Sequence, residues 1–230
     1  MAAAGIVAGG TGSRMGGNMP KQFLDLCGKP VMVHTVERFL ESPFISAVIV
    51  GVNPDWYDYM QGLIKQYFPE KVFLTKGGSD RNGTIVNIIN YAKQELGMRD
   101  DEILVTHDAV RPFVTERMIE ESIAALENCD ICTAAVQATD TMVISSDGKN
   151  ADDFPDRSLM YRVQTPQTFR MGGFISMIET VSPQMREKIT DACRLFKMNG
   201  KTVRIICGEE SNIKLTYPAD FRMAEAIANL

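Results

Sequence analysis

Short apolar runs separated by helix-length amphipathic stretches recur along this chain, and that alternation narrows its possible folds more than any other feature. Gly5-Ile6-Val7-Ala8, Ala47-Val48-Ile49-Val50-Gly51, Val72-Phe73-Leu74, Ile103-Leu104-Val105-Thr106 and residues 131–136 are each a strand's length, without the apolar-polar alternation of a half-exposed strand. They suit strands buried on both faces. Between them, residues 31–41 place Val33, Val36, Phe39 and Leu40 on one helical side, residues 55–68 offer Tyr59, Leu63 and Phe68, and residues 84–96 offer Ile85, Ile88, Ile89 and Ala92. Thr115 reads as the N-cap of a further helix. This rhythm predicts a Rossmann-like α/β domain with a mostly parallel sheet and right-handed crossovers, whose ligands sit beyond the carboxyl ends of the strands. With 230 residues, 45% of them hydrophobic, one domain spanning 1–230 is expected.

The rhythm breaks after Val136. Thr141-Met142-Val143-Ile144 has β character, Ser145 to Asn150 reads as a turn, and an acidic return follows, so residues 139–157 are expected to form a projecting β-hairpin arm. Such an arm is either a surface excursion or a dimer clasp. Alternation resumes with a helix from Thr190, a strand over residues 202–206 and a terminal helix from Pro218.

Charge and cysteine usage exclude several classes of partner. A net charge of -5 argues against nucleic acid or an anionic membrane as the main partner, while leaving small anions possible where basic residues cluster locally. No run of about 18 apolar residues exists, and the first residues carry no basic flank, so a soluble, unexported, cytoplasmic protein is expected. Five scattered cysteines read as reduced thiols. Cys129 and Cys132 have C-x-x-C spacing but no second pair, which favours buried thiols over a metal or redox site.

The loop after the first strand, Ala8-Gly9-Gly10-Thr11-Gly12-Ser13-Arg14-Met15 continuing to Pro20-Lys21-Gln22, is the richest in chemistry. Closely spaced glycines let backbone N–H groups converge on an anion, and Arg14 and Lys21 add two cations to the same segment. It lacks the Gly-Lys-Ser/Thr ending of a Walker loop and the third glycine of the dinucleotide fingerprint, and no acid ends the second strand. A phosphate cradle of another kind is expected. Gly77-Gly78-Ser79-Asp80-Arg81-Asn82-Gly83-Thr84 leads into a helix whose N-terminus suits an anion or a ribose. Asp108, at the end of the fourth strand, has the placement of a Mg²⁺ ligand or of an ion-pair partner for Arg111; the alternating position of His107 turns it toward the structure. Lys214, between apolar residues in a short extended segment, has an unusual setting that points to a directed role.

These clusters together resemble the sugar- and polyol-phosphate cytidylyltransferases, from the first strand to the last helix. The carrying segments are Ala8 to Met15 with Pro20-Lys21-Gln22, Gly77-Gly78 followed by Arg81, His107-Asp108-Ala109-Val110-Arg111-Pro112, Gln164-Thr165-Pro166-Gln167, Thr190-Asp191-Ala192 and Asn212-Ile213-Lys214. Within the family, Asn18 to Leu24, Val33 to Glu37, Asp80 to Ile85 and Thr190-Asp191-Ala192-Cys193 look more like the enzymes that act on ribitol 5-phosphate than those that act on 2-C-methyl-D-erythritol 4-phosphate. The latter usually show Thr-Asp-Glu-Ala where this chain has Thr190-Asp191-Ala192-Cys193.

The resemblance implies a CTP-dependent transfer to a polyol phosphate with loss of pyrophosphate. It implies catalytic Arg14, Lys21 and Lys214, and a nucleotide site of Ala8, Gly9, Gly10, Thr11, Gly12, Gly77, Gly78, Arg81, Thr84, Asp108 and Ala109, with Asp108 positioning Mg²⁺. It also implies a homodimer in which Asp140, Thr141 and Arg157 of the arm reach the partner's acceptor, beside Arg111, Thr165, Thr190 and Asp191. The non-enzyme alternative is a catalytically silent nucleotide-binding regulator, against which Arg14, Lys21, Asp108 and Lys214 together speak.

Overall fold

The computed structural model describes residues 1–10, 19–68, 70–186, 189 and 191–229. Strand β1 (Ala2–Ala8) leads through a small antiparallel pair, β2 (Asp25–Leu26) and β3 (Lys29–Pro30), into helix α1 (Val31–Glu41). Strand β4 (Ala47–Val52), helix α2 (Tyr57–Tyr67), strand β5 (Val72–Lys76), helix α3 (Arg81–Glu95), strand β6 (Ile103–Asp108), helix α4 (Glu116–Ala124) and strand β7 (Ile131–Gln137) continue the predicted rhythm. Strand β8 (Tyr161–Arg170), helices α5 (Met171–Thr180), α6 (Pro183–Arg186) and α7 (Ala192–Met198), strand β9 (Val203–Cys207) and helix α8 (Pro218–Ala228) complete the chain.

One sheet organises these elements in the order β5-β4-β1-β6-β8-β7-β9. Every neighbouring pair is parallel except the two that involve β8, which runs against both β6 and β7. The result is a single α/β domain with a mostly parallel seven-stranded sheet. Consecutive side chains of β4 serve opposite cores, as the unbroken apolar run requires. Val48 and Val50 pack with Met32, Val36 and Phe39 of α1, Met60 and Leu63 of α2, and Met118 and Ile119 of α4. Ile49 faces the other layer, with Ile85, Ile88 and Ile89 of α3, Phe174 of α5, and Leu195 and Phe196 of α7.

Local sequence sets where the helices begin. Asp80 caps α3 by accepting from the Gly83 amide at 2.8 Å, and Thr115 caps α4 by accepting from the Met118 amide. Gly51 keeps α3 close to the sheet, since a Cβ there would stand 2.5 Å from Thr84 Cγ2. In α2 the inward face is Met60, Leu63 and Ile64; Tyr59, expected on it, lies at its margin, 41% exposed and edge-on to Phe23.

Between β7 and β8 the chain leaves the sheet. Residues 139–154 are all exposed, and the expected hairpin pairs at one bridge, Ile144 with Asp153. Its tip is held by a side chain: Asp147 accepts from the amides of Lys149 and Asn150 at 2.8 Å each. Among the described residues no helix is long and apolar enough to cross a membrane.

Candidate functional site

The chain winds outward from β1 through β4 to β5 and then returns across β1 to β6, so strand order reverses between β1 and β6. That is where open α/β sheets leave a crevice beyond their strand ends. A cavity of about 450 Å³ opens there. It is lined after β1 by Ala8, Gly9 and Gly10, by Lys21 and Gln22, after β5 by Gly78, Ser79, Asp80, Arg81 and Thr84, after β6 by Asp108, Ala109 and Val110, and by Lys214. Thr11, Gly12, Arg14 and Thr190 lie outside the described residues.

Two devices shape the cradle. Gln22 is buried, and its Nε2 donates to the carbonyls of Ala8 and Gly10 at 3.0 Å each, which fixes the chain as it leaves β1. On the opposite wall the Thr84 hydroxyl donates to the Asp80 carbonyl at 2.9 Å and accepts from the Gly78 amide at 3.1 Å. A Cβ on Gly78 would lie 2.5 Å from the Gly83 carbonyl carbon, so only glycine lets this loop fold onto the first turn of α3. Gly77 is less tightly held, its Cβ position standing 3.1 Å from the Val52 carbonyl oxygen by the same measure. Gln22 is a site residue that sequence reasoning placed in a motif without a role; its signal was an amide inside a glycine-rich loop whose carbonyls need donors.

Asp108 is the electrostatic centre. Lys214 Nζ lies 2.9 Å and Arg111 Nε 3.4 Å from its Oδ2, and Arg81 Nε lies 3.5 Å from its Oδ1. Burial alone would raise its pKa, but Arg81, Lys214 and Arg111 override that and hold the carboxyl far below the usual carboxylate range. Three cations against one carboxylate leave a local positive excess within an acidic chain. Both Nη nitrogens of Arg81 are buried without a hydrogen-bond partner among the described residues. Donors so placed favour an anion, because leaving them unmatched costs free energy.

The backbone around Asp108 is tied from every side. In the turn 108–111 the Asp108 carbonyl accepts from Arg111 N, the Ala109 carbonyl from the Thr35 hydroxyl, the Val110 carbonyl from Leu215 N and the Arg111 carbonyl from His107 Nε2, at 3.0–3.1 Å. His107 is fully buried, and burial pushes its imidazole down to about 4. It faces the structure, as its alternating position predicts. Arg111 does not line the cavity; it links Asp108 to the Asn212 carbonyl, 2.9 Å from its Nη1.

The residues expected around the acceptor separate into two groups. Thr165 is buried behind Asp108, and Asp191 caps α7 while accepting from Gln167 Nε2. Asp140, Thr141 and Arg157 are exposed on the excursion between β7 and β8 and do not line the cavity; Arg157 Nη1 donates to the Thr139 carbonyl at 3.0 Å. Within one chain, then, the arm residues and the cavity are not brought together.

A divalent cation can be tested against the donors present. Among the described residues no three His, Cys, Asp or Glu side chains group to hold a metal ion. The cavity's carboxylates are Asp108 and the cap residue Asp80. That donor set fits Mg²⁺ arriving on phosphate oxygens and completed by one carboxylate, the habit of this hard cation, rather than a resident ion. Cys129 and Cys132 bracket the start of β7, and burial pushes the Cys132 thiol up to about 12.

The comparisons with known proteins agree with this geometry. The family described as IspD, 2-C-methyl-D-erythritol 4-phosphate cytidylyltransferase, matches residues 2–229. Ribitol-5-phosphate cytidylyltransferase of Streptococcus pneumoniae serotype 2 (strain D39) is 43% identical over 228 residues, 97% of each chain. Among solved structures, 4-diphosphocytidyl-2C-methyl-D-erythritol synthase from Anaerococcus prevotii superposes with a TM-score of 0.81 at 23% identity, covering 100% of this chain and 96% of that one. The 2-C-methyl-D-erythritol 4-phosphate cytidylyltransferase of Francisella tularensis superposes with a TM-score of 0.80 at 22% identity, covering 98% of each. At such identities the structures speak for the fold alone.

Proposed function

The chain belongs to the IspD family of cytidylyltransferases, and on that premise we propose that it joins CTP to D-ribitol 5-phosphate, forming CDP-ribitol and pyrophosphate. The observation that carries the chemistry is the gathering of Arg81, Arg111 and Lys214 on Asp108 at a cavity that Lys21 also lines. The choice of acceptor is supported by the 43% identity, over 97% of each chain, to the ribitol-5-phosphate cytidylyltransferase of Streptococcus pneumoniae.

In this reading an oxygen of the acceptor's phosphate attacks the α-phosphorus of CTP in line, a new P–O bond forms, and the bond to pyrophosphate breaks. The nucleophile is already an anion, so no base is needed. The protein's task is to hold two mutually repelling phosphates together and to stabilise the charge that grows on the α-phosphate. Lys21 and Arg14 steady the triphosphate, Lys214 turns from Asp108 to the α-phosphate, and the loop from Gly77 to Thr84 carries the nucleoside. Mg²⁺, held by Asp108 and phosphate oxygens, would neutralise charge on the triphosphate. Asp140, Thr141 and Arg157 reach the acceptor from a partner subunit in a homodimer formed through the arm; the apolar side chains of Ile144, Phe154, Leu159, Tyr161 and Val163, each at least 46% exposed, support such an interface. Five free cysteines and dependence on CTP suit the cytoplasm.

The family's description favours a second reading, in which 2-C-methyl-D-erythritol 4-phosphate is the acceptor. Offering CTP and Mg²⁺ with ribitol 5-phosphate, methylerythritol 4-phosphate or other pentitol phosphates, and following pyrophosphate release, separates them. Ribitol 5-phosphate is expected to lead in kcat/KM by roughly tenfold or more, the scale of one well-read substrate group. A lead for methylerythritol 4-phosphate would replace the first reading with the second.

A further inference from the structure

Strand β8 pairs with β6 from Ile103 opposite Arg170 to Thr106 opposite Gln167. Extending that register sets His107 opposite Pro166 and Asp108 opposite Thr165. Pro166 has no N–H to offer, and on the β8 side the backbone ladder ends at Thr106, two residues short of Asp108. A side-chain relay takes its place. The Asp108 amide donates to Thr165 Oγ1 at 3.2 Å, Thr165 Oγ1 lies 2.9 Å from His107 Nδ1, and His107 Nε2 lies 3.0 Å from the Arg111 carbonyl oxygen.

The chemistry of the ends fixes the protons along this relay. A carbonyl oxygen only accepts, so His107 Nε2 carries hydrogen. In the neutral imidazole Nδ1 is then bare and accepts, and the Thr165 hydroxyl must be its donor. A hydroxyl has one proton. With that proton given to His107, Thr165 has lone pairs left but nothing to donate.

We propose that His107 is a positioning residue, which acts through Thr165 and the Arg111 carbonyl to hold the Asp108 turn where the backbone ladder fails, and which commits the Thr165 hydroxyl proton. Thr165 is thereby a clamp on Asp108 and not a hydrogen-bond donor to the acceptor's phosphate. This takes over the reading of the cavity as the transfer site, but one of its consequences is visible without any substrate.

That consequence is the tautomer. Nitrogen-15 NMR of the wild-type chain at neutral pH is expected to show a pyridine-type Nδ1 and a pyrrole-type Nε2 for His107; the reverse tautomer, or an imidazolium, overturns the relay whatever the enzyme transfers. Kinetics test the role. His107→Asn places an amide near the Nδ1 position and keeps an acceptor for Thr165, whereas His107→Gln reaches the Nε2 position and gives up Thr165.

With folding checked by thermal unfolding, His107→Gln and Thr165→Val are each expected to lower kcat by roughly tenfold, with acceptor KM within about twofold. Because both break one relay, the double variant should lose no more than about twofold beyond Thr165→Val. Thr165→Ser should keep kcat within about threefold, and His107→Asn, which keeps Thr165 but gives up the Arg111 carbonyl, should fall between the wild type and His107→Gln. An acceptor KM raised tenfold by Thr165→Val with kcat intact, or losses that multiply in the double variant, would show Thr165 touching substrate on its own account and defeat the proposal. If the valine variant does not fold, Thr165→Ser and the tautomer still decide the matter.

Discussion

Two turns in this molecule each hold an aspartate far below its ordinary pKa, and they do it by opposite means. At the strand-end turn 108–111, Asp108 is buried, opposed by its own desolvation, and kept ionised by cations that arrive from α3, from the turn and from the segment before α8. At the arm tip, Asp147 is exposed and kept ionised by the amides of Asn150 and Lys149 beside it in sequence. The first arrangement needs the whole fold; the second needs only a few neighbouring residues. Similar titration in two places therefore reports different physics: convergence of distant charge in one, a self-contained loop in the other.

Asp108→Ala should break this contrast most visibly. It leaves Arg81, Arg111 and Lys214 without their shared anion, and urea unfolding at neutral pH should show a loss of about 3–5 kcal/mol, the scale for unpairing a buried charge. Folded Asp108 binds its proton less tightly than the unfolded chain does. Its contribution is thus complete above the ordinary value of 3.8 and fades as pH falls below it, so the gap between variant and wild type should close in acid. Next in size, Lys21→Ala should lower turnover by roughly 10² or more with the fold intact, the cost of one preorganised transition-state contact. A near-normal rate of CTP-dependent pyrophosphate release would remove Lys21 from the reaction. Arg157→Ala, on the arm, should raise the acceptor KM by about tenfold and leave the CTP KM almost unchanged; equal effects on both substrates would detach Arg157 from the acceptor. Smallest of all, Asp147→Ala should leave the thermal midpoint where it is, because water can replace what the exposed turn supplies. A clear drop would mean that the two turns are less different than their burial suggests.

The parallel half of the sheet was legible because its strands are uninterrupted apolar runs and its helices carry one apolar face; α1 over Val31–Glu41 matches its predicted span. Strand β8 was not, and the reason is physical. Its middle, Gln164-Thr165-Pro166-Gln167, is buried yet polar, so no apolar run marks it. The polar groups are consumed inside the protein: Gln164 Nε2 donates to the Glu209 carbonyl, Thr165 engages His107, and Gln167 engages Asp191. Those partners are 24 to 58 residues away in sequence, beyond the reach of any periodicity. Helix α5 did have a readable face, Met171, Phe174, Met177 and Ile178, but it follows β8 directly and had no strand to announce it. For the candidate site, glycine-rich loops and a strand-end carboxylate pointed to Lys21, Arg81 and Asp108, and a charge set between apolar residues pointed to Lys214; all four line the cavity. Gln22 and Asn212 lay inside those segments without a role of their own, because a buried amide looks like any surface amide until its carbonyl partners are known.

Strand β8 leaves the arm at Tyr161, where its side chains are exposed, and four residues later supplies the hydroxyl behind Asp108. At roughly 3.3 Å per residue the two points are about 13 Å apart along one stretch of backbone. Anything that settles on Tyr161 and Val163 and anything that enters the cavity therefore load the same beam, one at its tip and one near its middle. If its seating depends on what sits at the tip, CTP affinity should vary with protein concentration across the range where copies associate; an affinity that stays flat through association would mean that the beam is too stiff to carry the message.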